Sequence, residues 1–461
     1  MQHSSSPISS RPSSRPSSRP RAALYTLLGS VLLLGATALT APLARADDLY
    51  DVFQRAKQAD PQFQAAQAAR DSALQAKPEA RSQVLPSVGL SGSVTRNRSD
   101  ITATSFGLPR TSTFTSKTYS LNLDQVLYNH DYFAQLRQAD YQVAQAESQF
   151  QTARQGLIIR VVQAYFAVLS AQDNLHFAQA EKKAIGQQLD QAQQRFKVGL
   201  TAITDVREAQ ARYDQSTAQE IAAKNQLAVS KESLREIIGG QVPSLAGLSD
   251  QLPLVTPQPN DIKSWVDAAL DNNPQLIVAE KASDVAKEQI ERAKAGHYPT
   301  LNLVASHSYT DTGGLFTRTE TDDAVGIQLN MPIYQGGGIS ARVQQATYQY
   351  RQSKDQLEQT RRATERQARS AYLNVISGIS AVKARKQALK STQTALEATQ
   401  AGYEVGTRTQ VDVLNAQQAL YGAERDYAQA RYDYITNTLI LRQATGSLTA
   451  DDLQRISRWL K

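Results

Sequence analysis

The chain has 461 residues, of which 20% are charged and 41% hydrophobic, and its 50 basic and 43 acidic side chains give a formal charge of +7. It contains no cysteine, which excludes a disulfide framework, zinc–thiolate and iron–sulfur sites, a cysteine nucleophile and a lipid-modified amino-terminal cysteine. A mean hydropathy of −0.44 argues against a bundle of transmembrane helices.

Residues 1–46 have the composition of a secretory signal peptide. They include five arginines and no acid, an apolar run from Ala22 to Ala41, and a small-residue cleavage pattern at Ala44-Arg45-Ala46. A single transmembrane anchor is the alternative, but no stop-transfer flank follows the run. Removing the segment leaves 45 basic and 43 acidic residues, a net charge of +2. The electrostatic argument for nucleic-acid binding therefore disappears.

Two long stretches of the remaining chain favour long helices. No proline lies between Arg110 and Val242 or after Pro332, and proline costs about 3 kcal/mol inside a helix. We expect a helix from about Ala134 to Val198, roughly 100 Å long at ~1.5 Å per residue. Apolar residues in this stretch follow steps of four and three, the period of a coiled-coil seam: Leu157, Val161, Ala164, Val168, Ala171, Leu175 and Ala178.

The chain also repeats itself. Pro61 and Pro86 recur 213 positions later as Pro274 and Pro299. The Val-Gly pair at 198–199 recurs 207 positions later at 405–406. One supersecondary unit is therefore used twice.

The repeat predicts the organisation of the chain. We expect a first repeat over 47–239 and a second over 261–446, each with short helices, two strands and a long helical hairpin. A proline-rich linker at 240–260 joins the repeats, and a tail follows at 447–461. The predicted strands lie at about 85–98, 114–128, 298–311 and 322–333, and the predicted hairpins at 134–238 and 339–445.

The four strands alternate apolar with small or polar residues. Val325, Ile327 and Leu329, for example, alternate with Gly326 and Gln328. In an exported protein this pattern is typical of transmembrane strands, but four strands are too few for a barrel, which needs at least about eight. Copies of the chain would then share one barrel, and a dimer, trimer or tetramer would each give an even number of strands. The alternative is a small soluble sheet that caps a coiled coil.

Four segments of the sequence resemble the TolC family. Two are turn regions, QQRFKVGLTAITDV at 193–206 and GYEVGTRTQVDVL at 402–414, and the others are ARSQVLP at 80–86 and MPIYQGG at 331–337. The resemblance covers nearly all of residues 47–460. It implies an α+β membrane protein, a homotrimer whose 12-stranded outer-membrane β-barrel is continued by a periplasmic α-helical coiled-coil barrel. Residues 240–260 and 447–461 would form an equatorial region around the helices.

The resemblance also implies a function. Members of the family are passive exit ducts in the outer membrane, for drug efflux and type I protein secretion. An inner-membrane pump or ABC transporter supplies the energy, a periplasmic adaptor joins it to the duct, and the barrel faces outer-membrane lipid. The alternative is a coiled-coil periplasmic adaptor or adhesin that forms no pore, but an adaptor normally has one helical hairpin, whereas two are predicted here.

We expect the chain to bind no cofactor and to have no enzymatic activity. The five histidines include no pair at metal-binding spacing, and no G-x-S-x-G motif occurs.

The matched turn regions imply a gate at the periplasmic end. Arg408 would bond Thr204 and Asp205 of a neighbouring helix pair, Tyr403 would bond Asp205, and Gln188 matches another member of the network. Gln400 replaces the acidic partner of the family pattern. Without the resemblance, Arg408 and Asp205 would be an exposed helix-end pair, worth about 0–1 kcal/mol.

Two further sets of residues are implied at the same end. Asp412 matches the first of two aspartate rings that narrow the entrance, whereas the second ring position is Asn415. Gly199 and Gly406 suit turns at helix ends. The residues expected to dock the adaptor are Val198, Gly199, Leu200, Val405, Gly406 and Thr407.

Overall fold

The computed structural model describes residues 46–101, 110–249, 251–313 and 317–461. The predicted signal peptide, apart from its last residue, lies outside the described residues. Among the helices of these ranges, none combines the length and the apolarity needed to cross a membrane.

Each half of the chain contains short helices, then two strands, then a long helix with its return helix. The first half comprises α1 (Leu49–Ala59), α2 (Pro61–Ala73), α3 (Ala76–Ser82), β1 (Ser87–Ile101), β2 (Arg110–Tyr128), α4 (His130–Lys197) and α5 (Ile203–Ile238). The second comprises α6 (Ile262–Asn272), α7 (Pro274–Lys294), β3 (Thr300–Thr312), β4 (Arg318–Asn330), α8 (Gly338–Glu404) and α9 (Gln410–Ala444), followed by α10 (Ala450–Ser457). The mixture of long helices and one sheet confirms the predicted α+β class.

The repeated proline marks a helix boundary. Asp60 ends α1 and begins α2, where its carboxylate accepts a hydrogen bond from the backbone N–H of Phe63 at 2.7 Å. Asn273 does the same between α6 and α7 and accepts from Leu276 at 3.3 Å. In both helices proline takes the first position, where its missing N–H is not needed.

The two long helices and their return helices form antiparallel hairpins. α4 has 68 residues and α8 has 67, about 100 Å each at ~1.5 Å per residue. The hairpins begin earlier than predicted, at His130 and Gly338, and in α4 the reason is that the Asn129 side chain caps the helix by accepting from Asp131 N at 3.0 Å. The return helices are followed by left-handed glycines, Gly239 (φ 67°) and Gly446 (φ 70°), again 207 positions apart.

The core lies at the middle of the long helices. There α1, α10 and the linker pack against α4, α8 and α9. The fully buried residues of this core include Leu49, Val52, Leu157, Val161, Tyr165, Val375, Leu439 and Leu453. The hydroxyl of Tyr165 donates to the carbonyl of Ala246 at 2.7 Å, and the guanidinium of Arg431 donates to the carbonyl of Ser249, so polar groups of the helices hold the linker in place.

The four strands form one antiparallel sheet in the order β1-β2-β3-β4. Successive cross-strand rows of side chains lie on opposite faces of the sheet, one apolar and one small or polar. One row contains Val88, Leu123, Ala305 and Val325, and the next row contains Gly89, Asn122, Ser306 and Ala324. The apolar face is open, with Val88 66% and Val325 79% exposed. The outer edges of β1 and β4 have no partner strand within the described part of the chain, which leaves their backbone groups available for pairing.

The strand ends differ from the prediction. β1 continues to Ile101 and β2 begins at Arg110, because the backbone ladder extends through polar pairs such as Ser99 and Ser112. β4 begins at Arg318 and ends at Asn330, before the predicted end at 333. Pro332 cannot donate to a ladder, so it limits pairing at this end.

Candidate functional site

The ends of the two hairpins have the same backbone geometry. The N–H of Leu200 donates to the carbonyl of Arg195 at 2.8 Å, and the N–H of Thr407 donates to that of Gly402 at 2.8 Å. The residue before each donor is a left-handed glycine, Gly199 (φ 76°) and Gly406 (φ 82°). A side chain at either glycine would be strained in this conformation, so the repeated Val-Gly pair is explained by the turn it forms.

The hairpin ends present apolar side chains to solvent. Val198 is 69% exposed, Leu200 72% and Val405 76%, and Thr407 beside them is exposed as well. We call Val198, Gly199, Leu200, Val405, Gly406 and Thr407 the tips. Exposed apolar clusters of this kind are suited to contact with another protein.

The first turn of α9 is organised by Thr409 and Asp412. The Asp412 carboxylate accepts from the backbone N–H and from the hydroxyl of Thr409, both at 2.9 Å, while Asp412 N donates back to that hydroxyl at 3.2 Å. This capping box satisfies two backbone donors at the helix start. The hydrogen bonds from Thr409, and the charge of Arg408, hold the pKa of the Asp412 carboxyl below its usual value. The predicted entrance aspartate therefore also caps its helix.

Two predicted gate residues, Gln188 and Tyr403, meet in a groove between α4 and α8 together with Gln400, which replaces the acidic partner of the family pattern. The Gln188 side-chain oxygen accepts from Gln410 Nε2 at 3.2 Å. The guanidinium carbon of Arg195 lies 4.9 Å from the centre of the Tyr403 ring, a cation–π contact. Arg195 and Gln410 were not identified from the sequence, because their partners are about 200 positions away.

The remaining gate residues are not joined within one chain. Asp205 accepts a hydrogen bond from the Thr201 hydroxyl of its own turn. The stem of Arg408 packs on Gly402, where an added Cβ would lie 2.8 Å from its Cγ. In the described residues of one chain, no hydrogen bond or ion pair joins the Arg408 side chain to Thr204 or Asp205, and none joins Tyr403 to Asp205. Arg408 is exposed, so its guanidinium is available to a neighbouring chain.

Asn415, the predicted second entrance residue, has a partner that the sequence did not predict. The side-chain oxygen of Asn415 accepts from Arg212 Nη2 at 3.1 Å, and that of Gln418 accepts from Arg212 Nη1 at 3.3 Å. Arg212 lies on α5 and the two amides lie on α9. One guanidinium therefore joins the two hairpins near the predicted entrance residues.

Further contacts tie α9 to α4 away from the tips. The Tyr432 hydroxyl donates to Asp173 Oδ2 at 2.6 Å. Arg425 Nη1 lies 3.6 Å from Glu181 Oε2, and Glu181 is only 3% exposed. Burial raises the pKa of the Glu181 carboxyl, and the Arg425 charge opposes this rise. Across the ranges that the structure covers, no group of three or more histidine, aspartate or glutamate side chains is arranged to hold a metal ion.

Comparison with known proteins identifies related chains. The family model described as Outer membrane efflux protein matches residues 52–240 and 265–447, one match in each half. The chain is 38% identical to Outer membrane protein TolC of Vibrio cholerae over 421 residues, 90% of this chain and 94% of that protein. It is 32% identical to Alkaline protease secretion protein AprF of Pseudomonas aeruginosa, over 89% of this chain and 86% of that protein.

A solved structure has the same fold. The outer membrane protein VceC of Vibrio cholerae superimposes with a TM-score of 0.74 at 20% identity, covering 86% of this chain and 96% of VceC. At this identity the likeness concerns the fold alone.

Proposed function

We propose that this chain, which belongs to the outer membrane efflux protein family, is an outer-membrane exit duct for tripartite efflux and type I secretion. The family match on both halves of the chain carries the proposal, and it confirms the resemblance to the TolC family. This is a family of channels and not of enzymes. The duct conducts drugs or secreted polypeptides passively, and the long helices extend from the outer membrane into the periplasm.

A homotrimer explains the open sheet. Three copies of the four-stranded sheet make a barrel of 12 strands, in which β4 of one copy pairs with β1 of the next. The apolar face, with Val88 and Val325 exposed, then contacts outer-membrane lipid, and the small polar face lines the lumen. Closure removes both unpaired edges, as barrels do.

A closed gate explains the free guanidinium at the hairpin end. Arg408 is exposed and lies beside the turn that presents Asp412. In the trimer we place it against Thr204 and Asp205 of a neighbouring helix pair, where it forms charge-assisted hydrogen bonds. Tyr403 and Gln188 complete the gate, and opening moves the α8/α9 hairpin away from α4/α5.

The test of the proposed function combines the cell and the purified protein. A deletion strain is expected to become drug-sensitive or to lose secreted polypeptides, and the purified protein to conduct ions in planar bilayers. On mild SDS gels the outer-membrane fraction should migrate at trimer size and shift on heating. A monomeric periplasmic protein without conductance would overturn the duct and favour the adaptor or adhesin.

The entrance is expected to bind polyvalent cations weakly. Asn415 replaces a carboxylate, and Asp412 is already engaged by Thr409. Asn415→Asp adds one carboxylate per subunit. When it is combined with Arg212→Gln, which removes the guanidinium that would otherwise pair with that carboxylate, we expect it to lower the half-blocking concentration of a trivalent cation by about tenfold relative to Arg212→Gln alone. Planar-bilayer conductance measures the block. Asn330→Asp, at the end of β4 where the sheet meets the helices, is the control in the same background, and equal block by Arg212→Gln with and without Asn415→Asp would contradict the prediction.

The tips are expected to dock the periplasmic adaptor. Replacing Leu200 or Val405 by aspartate places a charge in an apolar contact, which we expect to weaken adaptor binding by about tenfold or more. Adaptor cross-linking and drug susceptibility measure the loss. Ile221→Asp, an exposed residue of α5 far from the tips, is the control for charge alone. Normal adaptor cross-linking of both tip variants would exclude the tips as the docking site.

A further inference from the structure

Three amide side chains of α9 are directed at the α4/α5 hairpin. Gln410 donates to Gln188 of α4, at 3.2 Å to its side-chain oxygen and 3.3 Å to its carbonyl. Asn415 and Gln418 accept from Arg212 of α5 at 3.1 and 3.3 Å. The start of α9 is thus held to the other hairpin of the same chain by uncharged acceptors.

The guanidinium of Arg212 suits two acceptors at once. Its planar group carries several N–H donors in a fixed fork. Asn415 and Gln418 are three positions apart, so they are neighbours on one face of α9. Arg212 forms no ion pair among the residues that the structure describes, and its two recorded side-chain hydrogen bonds are to these amides.

This contact crosses the boundary at which the gate would move. α5 belongs to the α4/α5 hairpin and α9 to the α8/α9 hairpin, and Arg212 bridges them close to Asp412. A displacement of α9 away from α5 must break both hydrogen bonds of Arg212. Each subunit contributes one such bridge, so a trimer has three.

Building on the proposed function, we propose that Arg212 is a further gate residue, a clamp that holds α9 against α5 within each subunit in the closed duct. It acts through Asn415 and Gln418 and is a positioning residue. The side-chain amide of Asn415 then has a role of its own, as an acceptor of the clamp. By resemblance alone, Asn415 was only a position where the family has a carboxylate. The clamp also leaves the charge of Arg212 without an acidic partner near the entrance.

The clamp is tested by single-channel recording of the full-length protein in planar bilayers. Arg212→Gln is expected to raise the ratio of open to closed time at least tenfold, the scale of one hydrogen bond to a charged group. Arg212→Lys keeps the charge but loses the fork, so its effect should be intermediate. Arg207→Gln is the matched control, because Arg207 is exposed on the same helix.

A second set of variants tests the partners. Asn415→Ala combined with Gln418→Ala removes both acceptors and should open the duct to the same extent as Arg212→Gln. Asn415→Asp gives Arg212 a carboxylate and should favour the closed state, but only while Arg212 is present. Asn415→Asp, Arg212→Gln and the two together form a double-mutant cycle, which measures the coupling free energy between residues 212 and 415. A general loss of stability would not produce such coupling.

The outcomes separate the clamp from the duct. A conducting wild type with Arg212→Gln and the double amide variant both at wild-type open times overturns the clamp and leaves the duct intact. A wild-type trimer that does not conduct overturns both. If Arg212→Gln fails to form trimers on mild SDS gels, the double amide variant decides, and its wild-type gating would overturn the clamp.

Discussion

Replacing Arg408 by serine is expected to open the duct, raising the ratio of open to closed time at least tenfold. Arg408 has no side-chain hydrogen bond or ion pair within the described part of its own chain, and its stem rests on Gly402. In the proposed trimer it bonds Thr204 and Asp205 of a neighbouring helix pair. Hydrogen bonds to a charged group contribute about 1.5–3 kcal/mol each, and a trimer contains three such interfaces. A tenfold change in the gating ratio corresponds to about 1.4 kcal/mol, so losing these bonds is expected to change the ratio by at least that factor.

Single-channel conductance in planar bilayers measures this effect. Arg207→Ser is the control, since Arg207 is an exposed arginine at the same end of the molecule. Adding Tyr403→Phe should open the duct further, because the hydroxyl proposed to bond Asp205 is removed. The cation–π contact of Tyr403 with Arg195 needs only the ring and is retained. Conductance equal to the wild type in both variants would reduce Arg408 to an exposed helix-end charge of little consequence.

Gly446→Ala is expected to prevent stable folding. Gly446 follows α9 with φ 70°, and an added Cβ would lie 2.1 Å from the carbonyl oxygen of Asn272, the last residue of α6. The same segment is held by Gln155, whose side chain donates to the Gly446 carbonyl at 2.8 Å. A left-handed non-glycine residue alone costs about 1–3 kcal/mol, and the collision forces a backbone shift in addition, so we expect a total loss above about 4 kcal/mol.

The amount of trimer in the outer membrane and the midpoint of thermal unfolding by circular dichroism measure this loss. Gly240→Ala is the matched control, because no atom lies within 4 Å of its added Cβ and its φ is not positive. Gly239→Ala should fall between the two, since its Cβ would meet only the Ala59 side chain, at 2.9 Å. Wild-type trimer yield and unfolding midpoint for Gly446→Ala would contradict the expected clash.

Local patterns predicted the elements better than their ends. The alternation of β4 identified which residues share a face, but its strand begins at Arg318 and not at 322. An alternation of apolar and polar residues along a strand shows that one face of the sheet is apolar and the other polar. The alternation disappears where both faces are polar. Backbone pairing does not depend on that contrast, so it continues past the apolar band, as between Ser99 and Ser112.

The candidate site shows the same division. The turn glycines Gly199 and Gly406 were predicted because a left-handed turn needs glycine at that position. The tips were expected from resemblance, and their exposure is a property of the turn itself. The capping box of Thr409 and Asp412 lies within one helical turn, and it gives Asp412 a second role beside the entrance ring that the resemblance implies.

The sequence by itself determined what depends on nearby residues. The coiled-coil period and the glycine turns depend on residues a few positions apart, and the duplication is a similarity between two stretches of sequence, so a linear pattern records all three. Only the tertiary structure decided which side chains meet across the two hairpins. Arg195 and Tyr403, Arg212 and Asn415, and Gly446 and Asn272 lie far apart along the chain and are brought together only by packing. Their contacts depend on helix rotation and register, which no local periodicity encodes.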